Sequence, residues 1–433
     1  MQQELGWLQI VRLGLVQSAI GALVMMATSL LNRIMVVEYA MAAAIPAGLV
    51  AWHYTVQLSR PLWGHGSDKG QTRTPWIIGG MAALALGNLL AVDATILMGS
   101  WPVAATLLAV VAYGLIGGGV GAAGTSLLAL LASQVVPQRR PGAAALTWIL
   151  MIVGIVVAAG TVGSLLDPFS PRRLVTIACF TAVAAFVVAL LAVWKVERPE
   201  LNTAPATAPT DFAQALRDVR DDPEARRFTV FIFVSMLAYS MQDMILEPFA
   251  GLSFGFSPGD STKLSGVQHM GVLVGMVLVG VGAGAFGGGT ARGLRQWTVV
   301  GCLGSAVALL GLALAARFAP DWPLRANVAL LGFANGVFAV SAIGSMMALA
   351  GAAGPRREGI RMGVWGASQA IAFGLGGLTG AVGVDVLRRM GDATANAFGS
   401  VFAGEAVLFV VAAWLAVGAV AASPRRMARE VLA

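Results

Sequence analysis

Several ionisable side chains stand inside or beside apolar runs, where a charge is costly enough to be read first as functional. Asp243 and Glu247 in "MQDMILEPFAG" are four residues apart, so on a helix they share one face. At a rise of about 1.5 Å per residue from Arg227, Asp243 falls about 24 Å along its span, in the outer part. Three chemistries fit this pair: an ion pair with Arg33 of "LNRIMVVEY", a gate, or proton coupling. Glu38 is expected at the outer interface, facing water, and Glu405 deep in the last span, packed against a polar partner. No base–nucleophile pair, metal cluster or phosphate loop emerges, so the residues give no footing to an enzyme.

A second knot of chemistry is "RPLWGHGSDKGQTRTPW", residues 60–76, where Asp68, Lys69 and Arg73 sit on a glycine-rich turn between two greasy runs. The surroundings explain it. The 433 residues are 58% hydrophobic and 11% charged, with a mean hydropathy of +0.79. A soluble domain carries about 25% charge. Many apolar runs exceed the ~18 residues that suggest a transmembrane helix, and they are continuous rather than alternating, which excludes a β-barrel. No signal-peptide cleavage pattern follows the first run, so it is expected to remain a helix. Cys179 and Cys302 both fall inside apolar runs and imply neither disulfide nor zinc.

Twelve spans are expected, at 8–31, 41–63, 75–99, 102–133, 142–166, 172–195, 228–250, 264–289, 296–318, 324–352, 359–386 and 396–422. Even-numbered loops and both termini then carry twenty of the 28 Lys and Arg, which assigns them to the cytoplasm. Residues 196–227 read as a charged cytoplasmic linker between an N-terminal half, 1–195, and a C-terminal half, 228–433. Phe212, Leu216 and Val219 recur at helical spacing there, consistent with a short amphipathic helix or a solvated linker.

The halves repeat. Pro137, Gly142, Trp148 and Asp167 align with Pro355, Gly359, Trp365 and Asp385 at an offset of 217 to 218, and Gly114 and Gly118 align with Gly332 and Gly336. Two parallel six-helix halves joined by such a linker resemble the major facilitator superfamily. The expected class is an all-α integral membrane protein with that fold. Gly64, Asp68, Gly70 and Arg73 resemble the superfamily's signature between spans two and three, where acid and base clamp cytoplasmic helix ends. The counterpart near residues 288–295 lacks the acid. Matches to G-x-G-x-x-G at 119–124 and 282–287 lie within apolar spans and are not dinucleotide sites.

"LNRIMVVEY", "PLWGHGSDKG", "MQDMILEPFAG" and "GIRMGVWGASQAIAFGLGGLTG" resemble the bacteriochlorophyll delivery (PucC/LhaA) family of photosynthetic bacteria. That resemblance implies a factor for light-harvesting complex assembly in the bacterial inner, intracytoplasmic photosynthetic membrane. Its cargo would be bacteriochlorophyll or a late precursor, and its partners antenna polypeptides or pigment-synthesis enzymes. It adds pigment access to the roles open to Asp243 and Glu247. Bacteriochlorophyll magnesium takes a fifth ligand, for which mid-span His53, with Gln57 one turn on, is the leading candidate and His269 the next. Trp52, Trp148 and Trp365 are candidates for stacking on the macrocycle, against the commoner use of tryptophan in packing. The rival is a proton-coupled secondary transporter of a small hydrophobic solute. Its midplanes should be polar, yet spans one, four, seven and ten offer mainly Gln17 and Asn335.

Overall fold

The computed structural model describes residues 5–60, 62–63, 67, 72–135, 140–197, 221, 223–285, 291–351 and 358–419. Among them the regular elements are all helical. Eleven helices are long and apolar enough to cross a membrane. They are α1 (Trp7–Glu38), α3 (Thr74–Leu97), α4 (Pro102–Gln134), α5 (Arg140–Leu165), α6 (Pro171–Val193), α7 (Pro223–Phe254), α8 (Pro258–Ala285), α9 (Ala291–Phe318), α10 (Leu324–Gly351), α11 (Glu358–Arg389) and α12 (Thr394–Ala419). Between α1 and α3 lies α2 (Ala44–Gln57), with 14 residues. Helices are the expected solution, since a lipid-exposed backbone must satisfy its own N–H and C=O groups.

Two compact units form. The first holds residues Met1–Ala206 and Leu246–Gly266, the second Thr207–Ile245 and Val267–Ala433. The chain therefore passes from one unit to the other inside α7, beside Pro248, and returns inside α8. Residues 246–266, which the sequence places in the C-terminal half, belong to the first unit.

Within the first unit α3 packs on α4 and α6, α1 on α5 and α6, and α2 on α4. Within the second, α9 packs on α10 and α12, the pairings that the repeat makes equivalent to α3 with α4 and α6. Lipid tails are as apolar as leucine, so such helices associate through close packing. Small residues permit it: a Cβ on Gly119 of α4 would stand 2.6 Å from the Gly80 carbonyl oxygen of α3. The repeat-aligned glycines keep matching neighbours, Gly114 beside Trp52 of α2 and Gly332 against Gln268 of α8. In the second unit Phe231, Phe338 and Phe409 meet edge to face, and Phe228 meets Trp365 likewise.

The first span departs from expectation. It runs past residue 31 to Glu38, through two π-helical turns, Met26–Leu30 and Ile34–Glu38, on either side of Arg33. In a regular helix residues five apart stand about 140° apart around the axis. A π turn, closing i to i+5, swings Glu38 round to the Arg33 side.

Candidate functional site

That swing builds the first cluster. Arg33 is 2% exposed and ion-paired through Nη1 with Glu38, whose side chain is 32% exposed. Its Nη2 donates to the Phe256 carbonyl at 2.6 Å and its Nε to Ser261 Oγ at 3.4 Å. Glu247, also buried, lies beside Ser265 and within electrostatic reach of Arg33. Gly251 makes room for this: a Cβ there would stand 3.2 Å from an Arg33 nitrogen. All these residues belong to the first unit. Two expectations are corrected. The ion pair that Arg33 makes is with Glu38, its neighbour in the same unit, and Glu38 is paired rather than simply solvated.

The same stretch of chain is fastened a second time. Asp167, at the end of α5, accepts from Ser257 Oγ at 2.7 Å and from the Gly259 N–H at 3.2 Å. Ser257 Oγ in turn accepts from the Asp260 N–H at 3.0 Å, capping the start of α8. A Cβ on Gly259 would collide with Asp167, so glycine is needed here. The sequence offered Asp167 only as a marker of the repeat.

Of the glycine-rich turn, Gly64, His65, Asp68, Lys69 and Gly70 lie outside the described residues, as do Phe212, Leu216 and Val219. Arg73 is described. Its backbone N–H donates to Glu197 at 2.6 Å, and the Thr74 N–H and Oγ1 donate to the other Glu197 oxygen, each at 2.7 Å. A carboxylate here satisfies the free N–H groups that open α3 and favours its dipole. Arg73 Nη1 donates to the Ala129 carbonyl at 2.9 Å, tying α3 to α4. Glu197 follows the sixth span directly; sequence reasoning left it in the linker and missed this role.

The pigment candidates separate. His53 and Gln57 are buried side by side on α2, with Gln57 Nε2 2.7 Å from His53 Nε2. Gln57 Oε1 accepts from Arg60, and His53 Nδ1 has no partner. Trp52 donates Nε1–H to the Val110 carbonyl at 3.0 Å. Trp365 is fully buried, donates to Thr229 Oγ1 at 3.0 Å and packs edge-on to Phe228, so its faces serve the core. Trp148 is exposed and His269 half-exposed, in different units.

The second unit has its own buried polar groups. Glu405 is wholly buried and neither carboxylate oxygen makes a hydrogen bond among the described residues; half-buried Asp243 lies within its electrostatic reach. Asn335 Oδ1 accepts from Ser305 at 2.8 Å while its Nδ2 has no partner, and the buried Gln242 amide has none. In the first unit Gln17 donates to Met151 Sδ at 3.3 Å. No group of three His, Cys, Asp or Glu among the described residues is placed to hold a metal.

The bundle of membrane-length helices has the major facilitator fold. Two solved structures share that fold: a bacterial homologue of the human lysosomal transporter Spinster, inward-facing and unoccupied, and the same protein inward-facing and occupied. Their TM-scores are 0.68 and 0.66, at 15% and 14% identity, each covering 95% of this chain and 96% of the other. More specifically, a profile of the PUCC protein family matches residues 30–423, and the chain belongs to that family. It is 54% identical over 422 residues to the "Bacteriochlorophyll synthase 44.5 kDa chain" of Rhodobacter capsulatus, covering 96% of each. It is 29% identical to Protein PucC of Rhodobacter capsulatus, over 96% of this chain and 93% of the other. Protein PucC of Cereibacter sphaeroides is 28% identical, over 89% and 85%.

Proposed function

We propose that this chain is a non-enzymatic membrane factor that binds bacteriochlorophyll, or a late precursor, and hands it to light-harvesting antenna polypeptides. The observation that carries this reading is the 54% identity, over nearly the whole of both chains, to a protein named for bacteriochlorophyll. An interior built mainly of Ala, Leu, Val, Ile, Met and Phe supports it, because a tetrapyrrole and its tail are desolvated there at little cost. The word "synthase" in that relative's name makes catalysis the first alternative to exclude. Against it stands the fold, which is shared with a bacterial homologue of a lysosomal transporter. The setting we assign is the bacterial photosynthetic membrane, with two six-helix halves and both termini cytoplasmic by the bias of basic residues. The Gly64–Arg73 turn is assigned the cytoplasmic clamp.

Buried Glu405, with Asp243 in electrostatic reach, favours a second reading: a proton-coupled carrier of a small hydrophobic solute.

Purification in mild detergent from a pigment-making host tests the first reading. The expected result is substoichiometric bacteriochlorophyll in the absorption spectrum, transferred to added antenna polypeptides. Colourless preparations that fail to take up added pigment would refute it. Conversion of a late precursor to finished pigment by the purified chain would restore catalysis.

A further inference from the structure

The three side chains His53, Gln57 and Arg60 decide what His53 can offer a ligand. A guanidinium has donors only, so the atom of Gln57 that meets Arg60 is its carbonyl oxygen, Oε1. The other end of the amide, Nε2, has only hydrogens to give, and it lies 2.7 Å from His53 Nε2. His53 Nε2 must therefore present its lone pair to Gln57. The ring proton is then on Nδ1. This tautomer follows from the hydrogen-bond network rather than from an observed hydrogen.

Two consequences follow. The Nε2 lone pair, which would ligate a metal, is already engaged, and Nδ1 carries hydrogen and has no lone pair to give. His53 is 1% exposed and its Nδ1 has no acceptor among the described residues. A buried donor left without an acceptor is costly, and an incoming acceptor recovers that cost. Arg60 holds the far end of the chain, so the polarity of the whole row is set from the end of α2.

We propose that His53 serves a bound bacteriochlorophyll as a hydrogen-bond donor, through Nδ1 to a carbonyl on the macrocycle edge, and not as the axial ligand of its magnesium. Arg60 and Gln57 act as positioning residues that hold the donor tautomer. The proposal rests on the pigment-binding reading above, and it reverses the role that the sequence suggested for His53. It also makes the site selective: a tetrapyrrole lacking the carbonyl would leave the donor unsatisfied.

The chain has only three histidines, so nitrogen-15 labelling of histidine gives a spectrum simple enough to read without pigment. His53 is expected with Nδ1 protonated and Nε2 unprotonated, and Gln57→Leu is expected to release that pattern. A proton on Nε2 in the unaltered protein overturns the proposal. Resonance Raman spectra of added bacteriochlorophyll supply the second arm. Substituting His53→Phe should shift one carbonyl stretch to higher frequency while the magnesium coordination bands stay put. Loss of a coordination band overturns the donor role, as do carbonyl bands indifferent to the substitution, the result expected if water answers Nδ1. Failure of any pigment to bind overturns the functional reading and the donor role together, while the labelled histidines still report the tautomer.

Discussion

Arg33 and Glu405 are both almost fully buried, yet their surroundings are opposite. Arg33 of the first unit ends in a carboxylate, a backbone carbonyl and a hydroxyl, with Glu247 in reach. Glu405 of the second unit meets no hydrogen-bond donor among the described residues, and its electrostatic neighbour, Asp243, is another acid. A buried charge matched on every side holds structure together. A buried acid left unmatched is free to bind something. The Arg33 cluster thus reads as fastened and the surroundings of Glu405 as available.

The sharpest way to break this contrast is Arg33→Ala. It strips the cation from Glu38 and Glu247 and leaves the Phe256 carbonyl unanswered, at about 3–5 kcal/mol for a fully buried pair. The part-exposure of Glu38 reduces that figure, so a loss in the lower part of the range is expected in thermal unfolding in detergent. A double-mutant cycle should couple Arg33 to Glu38 by more than about 0.5 kcal/mol. Additivity there would show that the pair contributes nothing.

Asp167→Ala comes next, costing about 1 kcal/mol because the Ser257 hydroxyl and Gly259 N–H lose their acceptor. Proteolysis of the 255–260 stretch should quicken with it; an unchanged digestion rate would remove Asp167 from the account. Smaller again is Glu197→Gln, at about 0.3–1 kcal/mol, because the amide oxygen still accepts one bond at α3 but the charge is gone. The loss should shrink in high salt, and a salt-independent loss would point to packing instead.

Glu405→Gln is expected to have the least effect on stability, since no hydrogen bond is lost and the cost of a buried acid is removed. A large fall in melting temperature would mean that Glu405 has a structural partner and would erase the contrast. Stability held while function falls would sharpen it and favour the carrier reading.

The bundle was legible because hydropathy in a membrane leaves few architectures open. The glycine-mediated packing and the repeat from Trp148/Trp365 to Gly114/Gly332 could be read from residue types. What escaped depended on backbone detail or on distant partners. The π turns around Arg33 cannot be seen in "LNRIMVVEY", so Glu38 looked solvated and Asp243 looked like the partner. Glu197 and Asp167 act on helix ends far away in sequence. His53 and Gln57 were visible as neighbours one turn apart, but the direction of their hydrogen bond is set by Arg60.

Delivery of pigment and its synthesis leave different marks on the membrane. The most direct measurement is the membrane spectrum of a strain lacking this gene, taken with an assay of late-precursor conversion in the same membranes. If the chain delivers pigment, the antenna bands fall strongly while conversion stays intact. Unchanged antenna bands, or lost conversion with the precursor accumulating, would contradict it.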